Sequence, residues 1–280
     1  MRKPFRGEGM EDNFRIGIVG GKGKMGNFFA NFFREKGYEV LIKDVDLGPS
    51  YEELCKTSKV ILLSVPLDRF PQVVSELSPY VQEENWVFDI CSLKLDPVRI
   101  MRRYIKKGEI LATHPLFGPY ERSLQNRIIA YYPIRGKGIK AWFIKLFSSA
   151  GAKLVYVPPR EHDRMMGLIQ VMNHFFLVLF GNILAESKLD LKRIVDLSTP
   201  SFEGILQVLR RLAWQEENLY ARIQLDNPFG RQFRRLFLRE CKWLIKALDY
   251  SEDPERIFKE KFIKAKLIAK ELDELFPRKD

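Results

Sequence analysis

Apolar positions in the first half of the chain fall into short continuous runs, each stopped by a glycine, a proline or a polar cluster and followed by a stretch with helical spacing. Phe14 to Val19, Glu39 to Lys43, Lys59 to Val65 and Trp86 to Ile90 read as strands, and their apolar continuity is that of strands covered on both faces. Glu109 to Ala112, Arg127 to Tyr132 and Lys153 to Val157 complete the set. Between them, Asn27 to Lys36, Leu67 to Leu77, Pro97 to Lys107 and Ile139 to Ala150 have helical periodicity, with Pro71 tolerable in a first turn. Strand and helix in alternation predict a mainly parallel, doubly wound α/β sheet of Rossmann type.

The pattern changes after Pro158-Pro159, and no further strand is expected. A long helix is predicted from about Glu161 to Ser187, with Met166, Ile169, Phe176, Leu177, Phe180 and Leu184 covering much of its circumference. Leu191 to Leu197, Phe202 to Trp214, Leu219 to Leu225, Phe229 to Tyr250 and Ile257 to Leu275 supply more helices. Residues 159–280 are therefore expected to form an all-α helical domain. Its apolar central helix predicts a second copy completing the core, hence a homodimer.

Candidate chemistry lies where the predicted strands end. Gly21, Gly23 and Gly26, with Lys24 and Met25 between them, match G-x-G-x-x-G between a strand and a helix, where glycines allow close approach of a pyrophosphate to the helix N-terminus. Asp44 stands at the end of the second strand, 18 residues after Gly26. It can accept from both ribose hydroxyls and would repel a 2′-phosphate, so NAD is expected rather than NADP, although Lys43 beside it acts the other way. These features assign residues 14–158 to a dinucleotide-binding domain. Ser64-Val65-Pro66, Ser92-Leu93-Lys94 and His114 follow later strands, so all share one edge of the sheet. His114 is expected in a loop, Thr113-His114-Pro115-Leu116-Phe117-Gly118-Pro119, stiffened by its prolines just past a strand that ends at Ala112.

Composition narrows the class without changing the plan. The chain has 280 residues, 46% of them hydrophobic, enough for two ordinary cores. No apolar run approaches the ~20 residues of a membrane span, since Phe175 to Leu184 is interrupted by Gly181 and Asn182, so no membrane partner is expected. Residues 1–13 mix charges of both signs without an apolar signal core; a short disordered leader and a cytoplasmic protein are expected. Cys55, Cys91 and Cys241 are too widely spaced for a disulfide framework or a zinc site. The net charge of +11 is spread over the chain without a basic arm, which reads as solvated surface rather than a nucleic-acid face.

Histidine is scarce: His114, His162 and His174 are the whole complement. His162 and His174 are twelve residues apart on one predicted helix, which is not metal-ligand spacing, so no metal is expected. His162 with Asp163 is assigned to the helix end and the domain junction. His174 reads equally as a core or a site-lining histidine. Arg211 sits beside Arg210, Leu209 and Leu212, where a guanidinium near a core calls for an anionic partner from protein or ligand.

Taken together, the glycine turn, Ser64-Val65-Pro66, Ser92-Leu93-Lys94, His114-Pro115-Leu116-Phe117-Gly118-Pro119, Glu161-His162-Asp163 and the Ser198-Thr199-Pro200 segment leading to Arg211 resemble the prephenate/arogenate dehydrogenase family over residues 14–226. The resemblance implies an NAD(P)-dependent oxidoreductase of tyrosine biosynthesis. In that reaction the C4 hydride of prephenate goes to nicotinamide, the ring carboxylate leaves as carbon dioxide, and 4-hydroxyphenylpyruvate forms. It also implies that His114 accepts the C4 hydroxyl proton, that Ser92 holds the other ring nitrogen of His114 or touches substrate, that Arg211 binds a carboxylate and that His174 lines the site. Relatives often carry an acidic residue six places after the catalytic histidine; here Tyr120 stands there and Glu121 follows, so Glu121 is the expected substrate contact. Relatives also show a second histidine and a proline near His174, where this chain has Gln170-Val171-Met172-Asn173. Prephenate is expected over arogenate, because no acidic partner is clearly placed for an ammonium. The stretch before Phe14 is too short for a mutase domain and the tail reads as helices, so a stand-alone dehydrogenase is expected. Another β-hydroxyacid dehydrogenase of the same plan, or a non-catalytic dinucleotide- or nucleic-acid-binding protein, is the rival expectation.

Overall fold

The computed structural model describes residues 14–276; the expected leader over 1–13 lies outside the described residues. Two compact units divide the chain, Met1–Pro228 and Phe229–Asp280.

The first unit is built on a seven-stranded sheet in the order β2-β1-β3-β4-β5-β6-β7. Its strands are β1 (Arg15–Val19), β2 (Glu39–Lys43), β3 (Val60–Leu63), β4 (Trp86–Asp89), β5 (Glu109–Pro115), β6 (Ile128–Arg135) and β7 (Lys153–Tyr156). Between them run α1 (Lys24–Glu35), α2 (Tyr51–Thr57), α3 (Phe70–Leu77), α4 (Leu95–Tyr104) and α5 (Gly138–Ser149). The buried strands distribute their side chains with a period of two. Ile16, Ile18, Val60, Leu62 and Phe88 join an aromatic cluster with Phe29, Phe33, Phe143 and Phe147 from α1 and α5. Ile61, Leu63, Val87 and Ile110 join Phe70, Val74, Leu77 and Met101 from α3 and α4 on the opposite face. Two apolar faces require helices on both, which is why the strands lack polar alternation. The helix α2 escaped the periodicity because it is short; Ser50 caps it, its hydroxyl accepting from Glu53 N at 3.1 Å.

One strand departs from expectation in a way that moves the site. The strand expected to stop at Ala112 continues through His114 to Pro115, so His114 lies in β5 and not in a loop. The cause is β6, which pairs antiparallel with β5, Thr113 opposite Tyr131, His114 opposite Ala130 and Pro115 opposite Ile129. No helix intervenes between β5 and β6, and a direct connection of this kind permits the antiparallel turn-back that a crossover would not. The other strand pairs are parallel.

Beyond β7 the first unit is helical: α6 (Pro159–Met166), α7 (Asn173–Glu186), α8 (Leu191–Asp196), α9 (Pro200–Leu209) and α10 (Glu217–Asp226). A π-helical turn, Gly167–Met172, joins α6 to α7, so the predicted long helix is continuous but widened in its middle. Gln224 of α10 donates to the Val171 carbonyl at 2.7 Å within the widened turn. Gly181 and Asn182 do not interrupt the helix; Asn182 donates back to the Val178 carbonyl at 2.7 Å. By length and composition alone, Pro159–Glu186 is long and apolar enough to cross a membrane, and little of its most apolar part is buried within the described chain. This corrects the expectation that no segment reaches that length.

The second unit pairs α11 (Gly230–Tyr250) with α12 (Pro254–Leu275). Asp253 caps α12 through Arg256 N at 3.0 Å, and Lys261 bridges the pair by its 3.0 Å contact with Glu240 and its place 4.1 Å from the Trp243 ring centroid.

Candidate active site

The turn between β1 and α1 is shaped by glycines that nothing larger could replace. A Cβ at Gly20, where φ is +81°, would stand 2.1 Å from the Ser64 carbonyl oxygen, and one at Gly26 would stand 2.2 Å from the Gly20 carbonyl oxygen. The turn is thereby pressed against the end of β3. Gly21 packs against Ile42, and Gly23 is the N-cap of α1, which has no side-chain cap and no acidic residue in its first turn. Main-chain N–H groups there suit an anion. A cavity of about 490 Å³ opens beside this turn, lined by Gly20, Asp44, Tyr51, Val65, Pro66 and Arg69 among others. Asp44 accepts from Lys22 N at 2.8 Å and Val45 N at 3.0 Å, which orients its carboxylate while leaving lone pairs for ribose hydroxyls. The cradle fits a dinucleotide. Ser64 contributes main chain to it, and the Met25 side chain packs against the core. Lys24 pairs with Glu216, which holds its ammonium pKa above the ordinary value, and Tyr120, 5.8 Å from Lys24 by its ring centroid, donates to the Trp214 carbonyl at 3.3 Å.

At the far end of β5 the structure builds a chain of three side chains that the sequence did not connect. His114 Nδ1 lies 2.9 Å from His162 Nε2, and His162 Nδ1 lies 2.8 Å from Asp163 Oδ1. All three are buried. The tautomers follow from the partners. Both Asp163 oxygens also accept main-chain N–H groups, from Lys94 at 2.8 Å and Leu95 at 2.9 Å, so the carboxylate accepts the hydrogen bond that His162 Nδ1 donates. A neutral His162 then presents a lone pair at Nε2, His114 must donate from Nδ1, and His114 Nε2 is left as an acceptor. Burial, and after it the nearness of the His162 imidazole and the Lys94 ammonium, hold His114 well below the ordinary imidazole value; burial lowers His162 too, against the opposing effect of the hydrogen bond it donates to Asp163.

One of the two roles expected of Ser92 is corrected: His162, and not Ser92, holds the second ring nitrogen of His114, while Ser92 sits half-buried on the connection to α4 and its other expected role, contact with substrate, is unaffected. His162 lies at the start of α6, as expected of a helix-end residue, and adds a contact with His114, while its neighbour Asp163 accepts from the first N–H groups of α4. The signals were in the sequence, in Glu161-His162-Asp163 and Ser92-x-Lys94, but only the tertiary pairing of α6 with β5 gives them a joint meaning.

A second cavity, of about 250 Å³, is lined by Leu116, Met166, Gln170, His174, Arg211 and Tyr220 among others, and no carboxylate is among its lining residues. His174 stacks on Tyr220 with centroids 3.9 Å apart and planes 19° from parallel. Burial pushes His174 down to about 4, so it is neutral near pH 7. His174 Nδ1 and Gln170 Oε1 are buried without a hydrogen-bond partner among the described residues, which marks the cavity as built for a polar ligand. The π-helical turn is what swings Gln170, Asn173 and His174 onto one wall. Arg211 lies in a 3₁₀ turn, Arg210–Trp214, exposed rather than packed against a core, and has no anionic partner among the described residues. Glu121 is not brought here; it pairs with Arg127 at 2.8 Å. Gln170 and Tyr220 line this cavity without having been singled out as site residues from the sequence; nothing in a linear pattern betrays the π turn that carries Gln170. No cluster that could hold a metal ion occurs among the described residues.

Residues 31–156 match the family described as prephenate dehydrogenase, nucleotide-binding domain, and residues 158–262 match prephenate dehydrogenase, dimerization domain. The chain is 30% identical to a probable arogenate/prephenate dehydrogenase of Methanocaldococcus jannaschii, over 82% of this chain and 56% of that protein. It is 33% identical to the T-protein of Enterobacter agglomerans, over 75% of this chain and 56% of that protein. It thus spans a little over half the length of these curated relatives. Among solved structures, prephenate dehydrogenase from Aquifex aeolicus in complex with hydroxyphenyl propionate and NAD+ superposes with a TM-score of 0.67 at 20% identity, covering 91% of this chain and 98% of that one. Synechocystis arogenate dehydrogenase gives 0.65 at 17% identity, covering 91% and 100%. At these identities the structures share the fold.

Proposed function

The chain belongs to the prephenate dehydrogenase family, and on that footing we propose that it oxidatively decarboxylates prephenate to 4-hydroxyphenylpyruvate with NAD as the hydride acceptor. The observation that carries the reading is the buried Asp163-His162-His114 chain, whose tautomers leave His114 Nε2 unprotonated and able to accept. NAD held in the glycine cradle would take the C4 hydride of the substrate. As that hydride departs, His114 Nε2 takes the C4 hydroxyl proton, and the carbonyl at C4 forms. Loss of the ring carboxylate then sends its bonding pair into the ring, and the developing phenolate oxygen can recover the proton from His114. Asp163 and His162 hold the imidazole in the accepting tautomer throughout, and proton transfer to a well-placed base is worth ~10²–10⁴-fold. Aromatisation drives the step, so the protein's work is positioning and proton handling.

Arg211 supports the anionic end of the substrate, because among the described residues it is the one charged side chain lining the second cavity. A lining without carboxylates and a neutral His174 favour the 2-oxo side chain of prephenate over the ammonium of arogenate, which would meet Arg211 unopposed. Asp44 supports NAD over NADP. The unburied apolar helix Pro159–Glu186 supports a homodimer, a second copy covering the faces it leaves open.

The test follows NADH absorbance with prephenate and then arogenate, each with NAD and NADP. Turnover with prephenate and NAD is expected; no turnover with either substrate would end the reading. Arg211→Ala should raise KM for prephenate by ~10-fold or more while leaving NAD affinity alone, and an unchanged KM would remove Arg211 from its role.

A further inference from the structure

Lys94 and Asp89 are both fully enclosed, with side chains 2% and 0% exposed, and no step of the reaction uses either. A buried ion pair is seldom the most stable way to fill its space, because desolvating two charges offsets most of their attraction. Its surroundings show what it holds. Lys94 Nζ donates to Asp89 Oδ2 and, at 2.5 Å, to the carbonyl of Thr113, the residue before His114. Asp89 Oδ1 accepts from Thr113 N at 3.2 Å, Asp89 Oδ2 accepts from Cys91 N at 2.9 Å, and the Thr113 hydroxyl donates to the Asp89 carbonyl. Every polar atom of Thr113 is therefore engaged by this pair. The main-chain N–H of the same Lys94 donates to Asp163 Oδ1, at the opposite end of the proton-transfer chain.

We propose that Lys94 is a positioning residue for proton transfer, its ammonium fixing the Thr113-His114 backbone at one end of the relay while its main-chain N–H fixes Asp163 at the other. The proposal rests on His114 being the proton acceptor. With both ends referred to one residue, the two imidazoles keep their 2.9 Å contact without depending on the packing of α6 against β5 alone. Lys94 also acts by charge. The ionisable groups gathered around His114 are His162 and Asp163 from α6, and Lys94 and Asp89 from the end of β4 and the connection to α4. The lysine cation disfavours a proton on either imidazole, keeping the relay neutral until substrate arrives.

The main-chain contact survives every substitution but proline, so side-chain variants isolate the ammonium. In Asp89→Asn/Lys94→Met the pair becomes neutral at similar volume, avoiding a lone buried charge. The expected result is NAD affinity and prephenate KM within about threefold of the parent, kcat down by ~10²-fold, and the acid limb of log kcat moved to higher pH. A kcat within about threefold with the limb unmoved overturns the proposal, as does a fall in Tm and NAD affinity together without a moved limb, which is what a merely structural pair would give. Should the double variant not fold, Lys94→Gln, which keeps an N–H for the Thr113 carbonyl, is judged by the same limb: displaced upward if the charge acts on the relay, unmoved if it does not. An unaltered protein that turns over neither prephenate nor arogenate fails at the functional reading instead, and the inference falls with it.

Discussion

His114 owes its lone pair to its neighbours, not to its own chemistry. An imidazole alone exchanges its proton freely between two nitrogens; here Asp163 decides the tautomer of His162, and His162 decides that of His114. Replacing His114 with Asn should therefore lower kcat by ~10²–10⁴-fold and leave NAD binding, measured by fluorescence titration, intact. The pH dependence has a definite sign. Burial depresses His114, His162 and His174 in the folded protein below the ordinary 6.5, so the unfolded chain takes up protons first as pH falls. The stability tied to their neutral forms is complete above about pH 6.5 and is lost as pH descends toward the folded values, which for His174 is about 4. Melting scans should show Tm dropping between those limits. His174→Phe preserves the stack on Tyr220 while removing one titrating group, so it should shrink the drop; an undiminished drop would show that His174 does not contribute.

The turn from β1 to α1 and the π turn before α7 place the two cavities, and they were legible to very different degrees. Gly21, Gly23 and Gly26 announce the first, because a side chain at Gly21 would run into Ile42 and one at Gly26 into the Gly20 carbonyl. Gly26→Ala should weaken NAD binding by ~10-fold or more and lower Tm, since its Cβ would meet backbone that cannot yield. The π turn has no such signature: one inserted residue's worth of widening, stabilised by Gln224 from α10, turns Gln170 toward the cavity without altering the apolar periodicity on either side. Strand β5 was legible in kind but not in length. Two prolines around His114 argue for a loop, yet Pro115 at a strand end forfeits little pairing, and β6 supplies partners as far as Ile129.

The molecule as a whole leaves a large apolar surface on its helical part. On α7, Leu177 is buried, while Phe176, Val178, Leu179 and Ile183 are exposed. Such a surface is stable in water only when covered. Sedimentation or light scattering should report a dimer, and Ile183→Glu should shift the population toward monomer at micromolar concentration; a parent protein that is monomeric at all concentrations would count against the dimer.

Local pattern sufficed for what local physics controls: doubly covered strands from apolar runs, the helical second half from its period, and a glycine turn between β1 and α1 with Asp44 just past the end of β2 beside it. What no local pattern holds is which side chain meets which across the fold. Antiparallel pairing of β6 drew His114 into a strand, the packing of α6 brought His162 to its ring nitrogen, and one buried lysine came to bond Thr113 and Asp163, the residues flanking that contact. Hydrogen bonds between residues 48 and 69 positions apart arise only after the chain has collapsed, because closing such loops is opposed by entropy until the core beneath them is formed.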